Sequence, residues 1–198
     1  EKLSPLSNEI SLLTGTSERL IELVKTQTVD IAIACTKKID ESFFAQKYLF
    51  SEPSVLALPK EPRFEKDFFT WEELRFCGLP FLRYNRFSGG SEMTENFLNS
   101  LFIHLPNRIE VDDGGVMLKL ICKGIGWSLV RPATLVQHPD LAAQVHFCKM
   151  PDPVMQREVI LIFGKSVNPE LVDTVETLSK SFYEAELSKE FKKILQQK

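Results

Sequence analysis

Three short runs place glycines and hydroxyl-bearing residues directly ahead of a helical pattern: Gly15-Thr16-Ser17, Phe87-Ser88-Gly89-Gly90-Ser91 and Asp112-Asp113-Gly114-Gly115-Val116. The first N–H groups of a helix have no intrahelical acceptor and carry partial positive charge, so each terminus suits a carboxylate or another anion. Thr16, Ser17 and Ser88 would add hydroxyls, and Gly89, Gly114 and Gly115 would let a ligand approach the backbone closely. Arg83 and Arg131 each end a strand-like run, where either guanidinium could clamp a carboxylate through two hydrogen bonds. Plainer roles stand beside these. Capping explains each terminus taken singly, with Ser17 and Asp113 as ordinary cap residues, and a strand-end arginine can be structural or solvent-facing. Asp112 and Asp113 weigh against a strongly anionic ligand at the third terminus. Tyr84 and Phe87 could wall an apolar part of the ligand, whereas Trp127 reads more simply as core.

Patterns that would make the chain an enzyme are missing. His104, His138 and His146 sit in neither H-x-x-H nor H-E-x-x-H spacing, and there is no G-x-S-x-G elbow or G-x-x-x-x-G-K-[ST] loop. Cys35, Cys77, Cys122 and Cys148 form no C-x-x-C pair, which removes zinc and thioredoxin-like spacing. They read as reduced thiols acting as small hydrophobes, with redox sensing by Cys35 as the sharper alternative. No metal, cofactor or catalytic residue is expected.

The bulk properties bound the function classes. Of 198 residues, 43% are hydrophobic and 26% charged, the composition of an ordinary globule large enough for two small lobes. A net charge of −3 lacks the lysine and arginine excess by which a surface holds nucleic acid. Lys37-Lys38 and Lys192-Lys193 are short clusters that read as solvated surface. No apolar run reaches the roughly 20 residues that cross a bilayer, and the first residues do not resemble a signal peptide, so a cytoplasmic location is expected.

The elements that position these residues alternate between strand and helix patterns, which predicts an α/β fold with largely parallel sheets. Strands are expected at Glu9–Leu13, Val29–Cys35, Ser54–Pro59, Leu79–Tyr84, Arg108–Val111, Gly126–Arg131 and Arg157–Phe163. Helices are expected after Ser17, at Trp71–Leu74, after Ser91 and after Gly115, where Gly124 would end the element. A last helix is expected from Pro169, its spacing continuing through Phe191, Ile194 and Leu195. If that helix packs with the first block, the middle block is an insertion. Strands near Ser54–Pro59 and Arg157–Phe163 are then crossovers between lobe I (residues 1–57 plus 160–198) and lobe II (58–159).

In this order the pieces resemble the effector-binding domain of LysR-type transcriptional regulators. The run EISLLTGTSERLIELVKTQTVDIAIA resembles the family's first-lobe strand–turn–helix–strand, and SEPSVLALPKEPRF its crossover strand and following loop. WEELRFCGLPFLRY is similar to the entry into the second lobe, and RIEVDDGGVMLKLICKGIGWSLVRPATL to its strand–helix–Gly–strand–Pro block. The resemblance spans about Leu3 to Phe163. It implies two Rossmann-like lobes joined by crossover strands, the periplasmic-binding-protein-like type 2 plan, with a small polar or carboxylate effector held between them. It also implies pairing into a homodimer or homotetramer, and DNA contact only through a helix-turn-helix that these residues do not contain. The strand that normally opens the family's first lobe is likewise not among them. The alternatives are a periplasmic-type solute-binding protein and an enzyme, such as a dehydratase or transferase, built on the same plan.

Overall fold

A computed structural model describes residues 3–35, 44–85, 89–105, 108–189 and residue 192. The elements in chain order are α1 (Ser17–Lys25), β1 (Ile31–Ala34), β2 (Phe44–Pro53), β3 (Val55–Pro59), α2 (Trp71–Arg75), β4 (Phe81–Tyr84) and α3 (Gly89–Ser100). There follow β5 (Arg108–Val111), α4 (Gly114–Cys122), β6 (Ser128–Val130), α5 (Pro132–Gln137), α6 (Pro139–Ala142), β7 (Val145–Lys149), β8 (Gln156–Gly164) and α7 (Pro169–Phe182). The continuation of the last helix through Phe191, Ile194 and Leu195 lies outside the described residues.

The chain forms two compact units: Glu1–Glu52 with Arg157–Ala185, and Pro53–Gln156 with Glu186–Lys198. The sequence boundary at residue 57 falls inside β3, whose ladders to β6 and β7 lie wholly in the second unit.

In the first unit three strands lie in the order β1-β8-β2. Alternation on the strands sends Ala32, Ala34, Ile160 and Ile162 to one face, where Val24, Leu20 and Ile21 of α1 cover them. Leu161, Val159, Leu49 and Ile31 pack on the other with Val172 and Val175 of α7. Lys47 fastens α7 to β2 by donating to Asp173 at 2.6 Å and Glu176 at 2.7 Å.

The second unit is organised by β3, the centre of the sheet β6-β3-β7. All five of its residues are buried. Leu56 and Leu58 enter a core with Leu74, Leu98 and Trp127, while Val55 and Ala57 enter another with Met117, Leu118 and Ile121 of α4. A strand covered on both faces needs a continuous apolar run, which is how SVLALP reads. β4 and β5 pair in parallel, and Leu82 N–H donates to the Trp127 carbonyl at 2.8 Å, bringing β4 alongside the β6 end.

Two expectations are corrected. Among the described strands the sheets are not largely parallel: β1–β8, β3–β6 and β3–β7 are antiparallel, while β4–β5 is parallel. Glu9–Leu13 carries the pattern of a strand but has no ladder among the described residues, and Leu12 is 86% exposed. Alternation alone does not make a strand without a neighbour to satisfy its backbone.

Candidate functional site

Each sequence candidate is described within its own unit. In the first unit, Thr16, one residue earlier than expected, is the N-cap of α1, its hydroxyl accepting from Arg19 N–H at 3.4 Å. The Ser17 hydroxyl instead accepts the Cys35 N–H at 3.0 Å, tying the start of α1 to the end of β1.

The second unit gathers most of the others. α4 begins at Gly114 because Asp113, in extended conformation, turns its carboxylate back onto Val116 N–H at 2.9 Å. That carboxylate offsets the positive field of the terminus. The opening turn is closely packed: a Cβ on Gly114 would meet the Thr134 methyl at 2.8 Å and the Tyr84 hydroxyl at 3.2 Å. A Cβ on Gly115 would meet His138 Cε1 at 2.8 Å. Gly124, at φ +70°, ends the helix turn as expected, in the left-handed region that glycine adopts freely.

Arg131 precedes α5 and is only 7% exposed. Its Nη1 donates to the Ser54 hydroxyl at 2.5 Å, and Nη2 lies 4.0 Å from Met93 Sδ in the first half of α3. Thr134, which crowds Gly114, also donates its N–H to the Arg131 carbonyl at 2.9 Å. Arg131 is therefore linked both to α3 and to the opening of α4. Gly89 is the first residue of α3; Ser88 and Phe87 lie outside the described residues.

Arg83 is already engaged. Nη1 donates to Glu95 at 2.8 Å and Nη2 to Glu110 at 2.6 Å. Burial works to lower its pKa, but the hydrogen bonds it donates to Glu95 and Glu110 outweigh that and hold it above the ordinary value. Its chemistry here is to join α3, β4 and β5. Trp127 is core, as expected, its ring 4.8 Å from that of Phe81.

Sequence reasoning passed over Ser54, Met93, Thr134 and His138. Ser54 was the most visible of them, a hydroxyl at the head of an apolar run; Thr134 and His138 become neighbours of α4 only through the turn after Pro132.

Among the described residues no group of three or more His, Cys, Asp or Glu side chains could hold a metal ion. No described helix is long and apolar enough to cross a membrane. None of the four cysteines is in a disulfide, and burial pushes Cys148 up to about 12 and raises Cys77 and Cys122 above the ordinary range. The second unit thus offers a nearly buried guanidinium, hydroxyls and helix ends.

Comparison with known proteins gives the family and the fold. The family model described as LysR substrate binding domain matches residues 7–179. Among solved structures, a Corynebacterium glutamicum OxyR C206 mutant is similar with a TM-score of 0.74 and 13% identity, over 93% of this chain and 57% of that one. The chain therefore spans less than two thirds of that protein. The regulatory domain of MetR from N. meningitidis has a TM-score of 0.70 at 14% identity, over 93% of this chain and 85% of its own. The Synechocystis PCC6803 CcmR regulatory domain, solved in complex with 2-PG, has a TM-score of 0.70 at 15% identity, over 87% and 82%. No curated protein matches. At these identities the structures carry the fold, the two-lobed α/β plan of type 2 periplasmic-binding-like proteins.

Proposed function

We propose, from the premise that the chain belongs to the LysR substrate binding domain family, that it senses a small polar metabolite, most simply a carboxylate, in the cytoplasm. It does so by binding without turnover, as the effector domain of a LysR-type regulator. DNA contact belongs to a helix-turn-helix that these residues do not contain, and the sensor works as a homodimer or homotetramer.

The observation that carries the ligand class is Arg131. A guanidinium only 7% exposed, held by Ser54 and reaching the first half of α3, is preorganised for a planar anion. Gly89 and the α4 opening at Asp113, Gly114 and Gly115 would supply further contacts within the second unit. Arg83 takes part by holding α3 in place. Effector chemistry varies among similar proteins: CcmR was solved with 2-PG and an OxyR mutant with H2O2.

Binding changes regulation only if the effector prefers one arrangement of the sensor over another. The test is calorimetry and thermal unfolding of the whole chain against a panel of mono- and dicarboxylates with 2-PG included. The reading expects at least one to bind and to raise Tm, with Arg131→Met losing the effect and Arg131→Lys keeping part of it. Binding unchanged in Arg131→Met, or no binding across the panel, would contradict it.

A further inference from the structure

Outside the candidate site, the first unit carries a groove of about 290 Å³ between the second half of β2 and the C-terminal end of α7. Its walls include Tyr48, Phe50, Ser51, Lys180, Tyr183 and Glu184. β2 stands on the far side of the sheet from β1, with β8 between them. Ligand pockets run from roughly 300 to 1,000 Å³, so this one suits a single small metabolite.

A change of helix type shapes the groove. α7 gives way at Tyr183 to a turn of π-helix, Tyr183–Leu187, a rare form that recurs at functional sites. The Tyr183 ring stacks on Phe50, centroids 4.1 Å apart and planes within 12°, and its hydroxyl donates to the Ser51 carbonyl at 2.8 Å. The Tyr48 and Ser51 hydroxyls share a hydrogen bond of 3.0 Å, which leaves the proton of one of them to spare. On a regular helix Lys180 and Glu184 would pair across one turn. Here the i→i+5 spacing of the π turn offsets them. Lys180 turns back to Glu176 at 2.7 Å, a carboxylate that also serves Lys47, and Glu184 has no partner among the described residues.

We propose that this groove is a second small-molecule site and that its ligand is an aromatic α-amino acid. Lys180 keeps N–H donors beyond its bond to Glu176 and takes the carboxylate. Glu184 takes the ammonium, with the Tyr183 oxygen as a further acceptor. The stacked Phe50–Tyr183 pair walls the ring. A simple anion would meet Glu176 and Glu184, and a simple cation would meet Lys180. A ligand carrying both charges satisfies both ends. Nothing in this site depends on Arg131.

The test is calorimetry of the whole chain with L-phenylalanine, phenylpropionate, phenethylamine and L-alanine; the last three lack in turn the ammonium, the carboxylate and the ring. L-Phenylalanine is expected to bind at millimolar concentration or below. Phenylpropionate and phenethylamine should bind at least about tenfold more weakly, the loss of one charged hydrogen-bonding group, and L-alanine should not bind measurably. Glu184→Gln should erase the preference over phenylpropionate and Lys180→Met that over phenethylamine, while Arg131→Met changes neither. Failure of L-phenylalanine to bind, or binding unchanged in both Glu184→Gln and Lys180→Met, would overturn this site and leave the effector reading standing. Binding lost only in Arg131→Met would assign the amino acid to the effector site and overturn this one as well. Should either groove variant fail to fold, nuclear Overhauser contacts in the wild type decide. Contacts from the ligand ring to the Tyr48 and Tyr183 rings support the site, and their absence sinks it.

Discussion

Arg83 and Glu110 are direct partners across the parallel β4–β5 pair, and the guanidinium Nη2 donates to the carboxylate at 2.6 Å. The same guanidinium reaches Glu95 on α3 at 2.8 Å. A side chain that the sequence offers as a ligand clamp is thus held between two carboxylates and fixes a helix to two strands.

Removing it leaves two partly buried carboxylates close together. Arg83→Met is expected to destabilise the chain by about 2–3 kcal/mol, below the range for a fully buried pair because all three groups keep some exposure. Adding Glu95→Gln and Glu110→Gln should restore most of the loss. Urea unfolding of the single and triple variants checks this; an unchanged midpoint for Arg83→Met would contradict it.

Gly114→Ala sets helix propensity against packing. Alanine is favoured over glycine by about 1 kcal/mol inside a helix, but its Cβ would sit 2.8 Å from the Thr134 methyl. Overpacking of this kind costs about 1–3 kcal/mol. The variant should lose stability, and Thr134→Ser, which removes the methyl, should recover part of it in thermal unfolding.

The α2 cap gives a pH signature. The Glu73 carboxyl is held down at about 2 by its hydrogen bond from Lys66 and by the Thr70 backbone N–H, against an ordinary 4.5. A group with a depressed folded pKa stabilises fully above its unfolded value, and that contribution fades as pH falls through the folded value. Tm should therefore decline between about pH 4.5 and 2, and Glu73→Gln should flatten that part of the curve. Identical profiles would contradict the assignment.

Cys148 should resist alkylation in the native chain. Burial, with a smaller contribution from Asp67, pushes its thiol up to about 12, leaving almost no thiolate at neutral pH. Mass spectrometry after iodoacetamide should find Cys148 modified only in denaturant. Native labelling at the rate of an exposed thiol would contradict the packing around β7.

Features written in neighbouring residues were legible from the sequence. The helix over Trp71–Leu74, the helix that Pro169 opens and the strand SVLALP stand where the pattern placed them, while the Thr70–Glu73 capping box and the Asn168 cap were not among the expectations. β2 was not legible. Its alternation is broken by Lys47 and Glu52, whose partners Asp173, Glu176 and Arg157 lie more than a hundred residues away. Glu52 is fully buried against Arg157, a pairing invisible to a local pattern. Arg83 failed for the same reason, since its carboxylates stand on other elements. Arg131 gave its place at a strand end; its contact with Ser54 needed the fold.

Backbone and side-chain NMR during titration addresses the effector site most directly. With the best ligand from the carboxylate panel added to the whole chain, the account expects the largest shifts at Arg131 Nε–H and at the amides of Gly89, Ser91, Gly114 and Gly115, saturating together. Shifts confined to residues remote from these, with Arg131 unmoved at saturation, would contradict it.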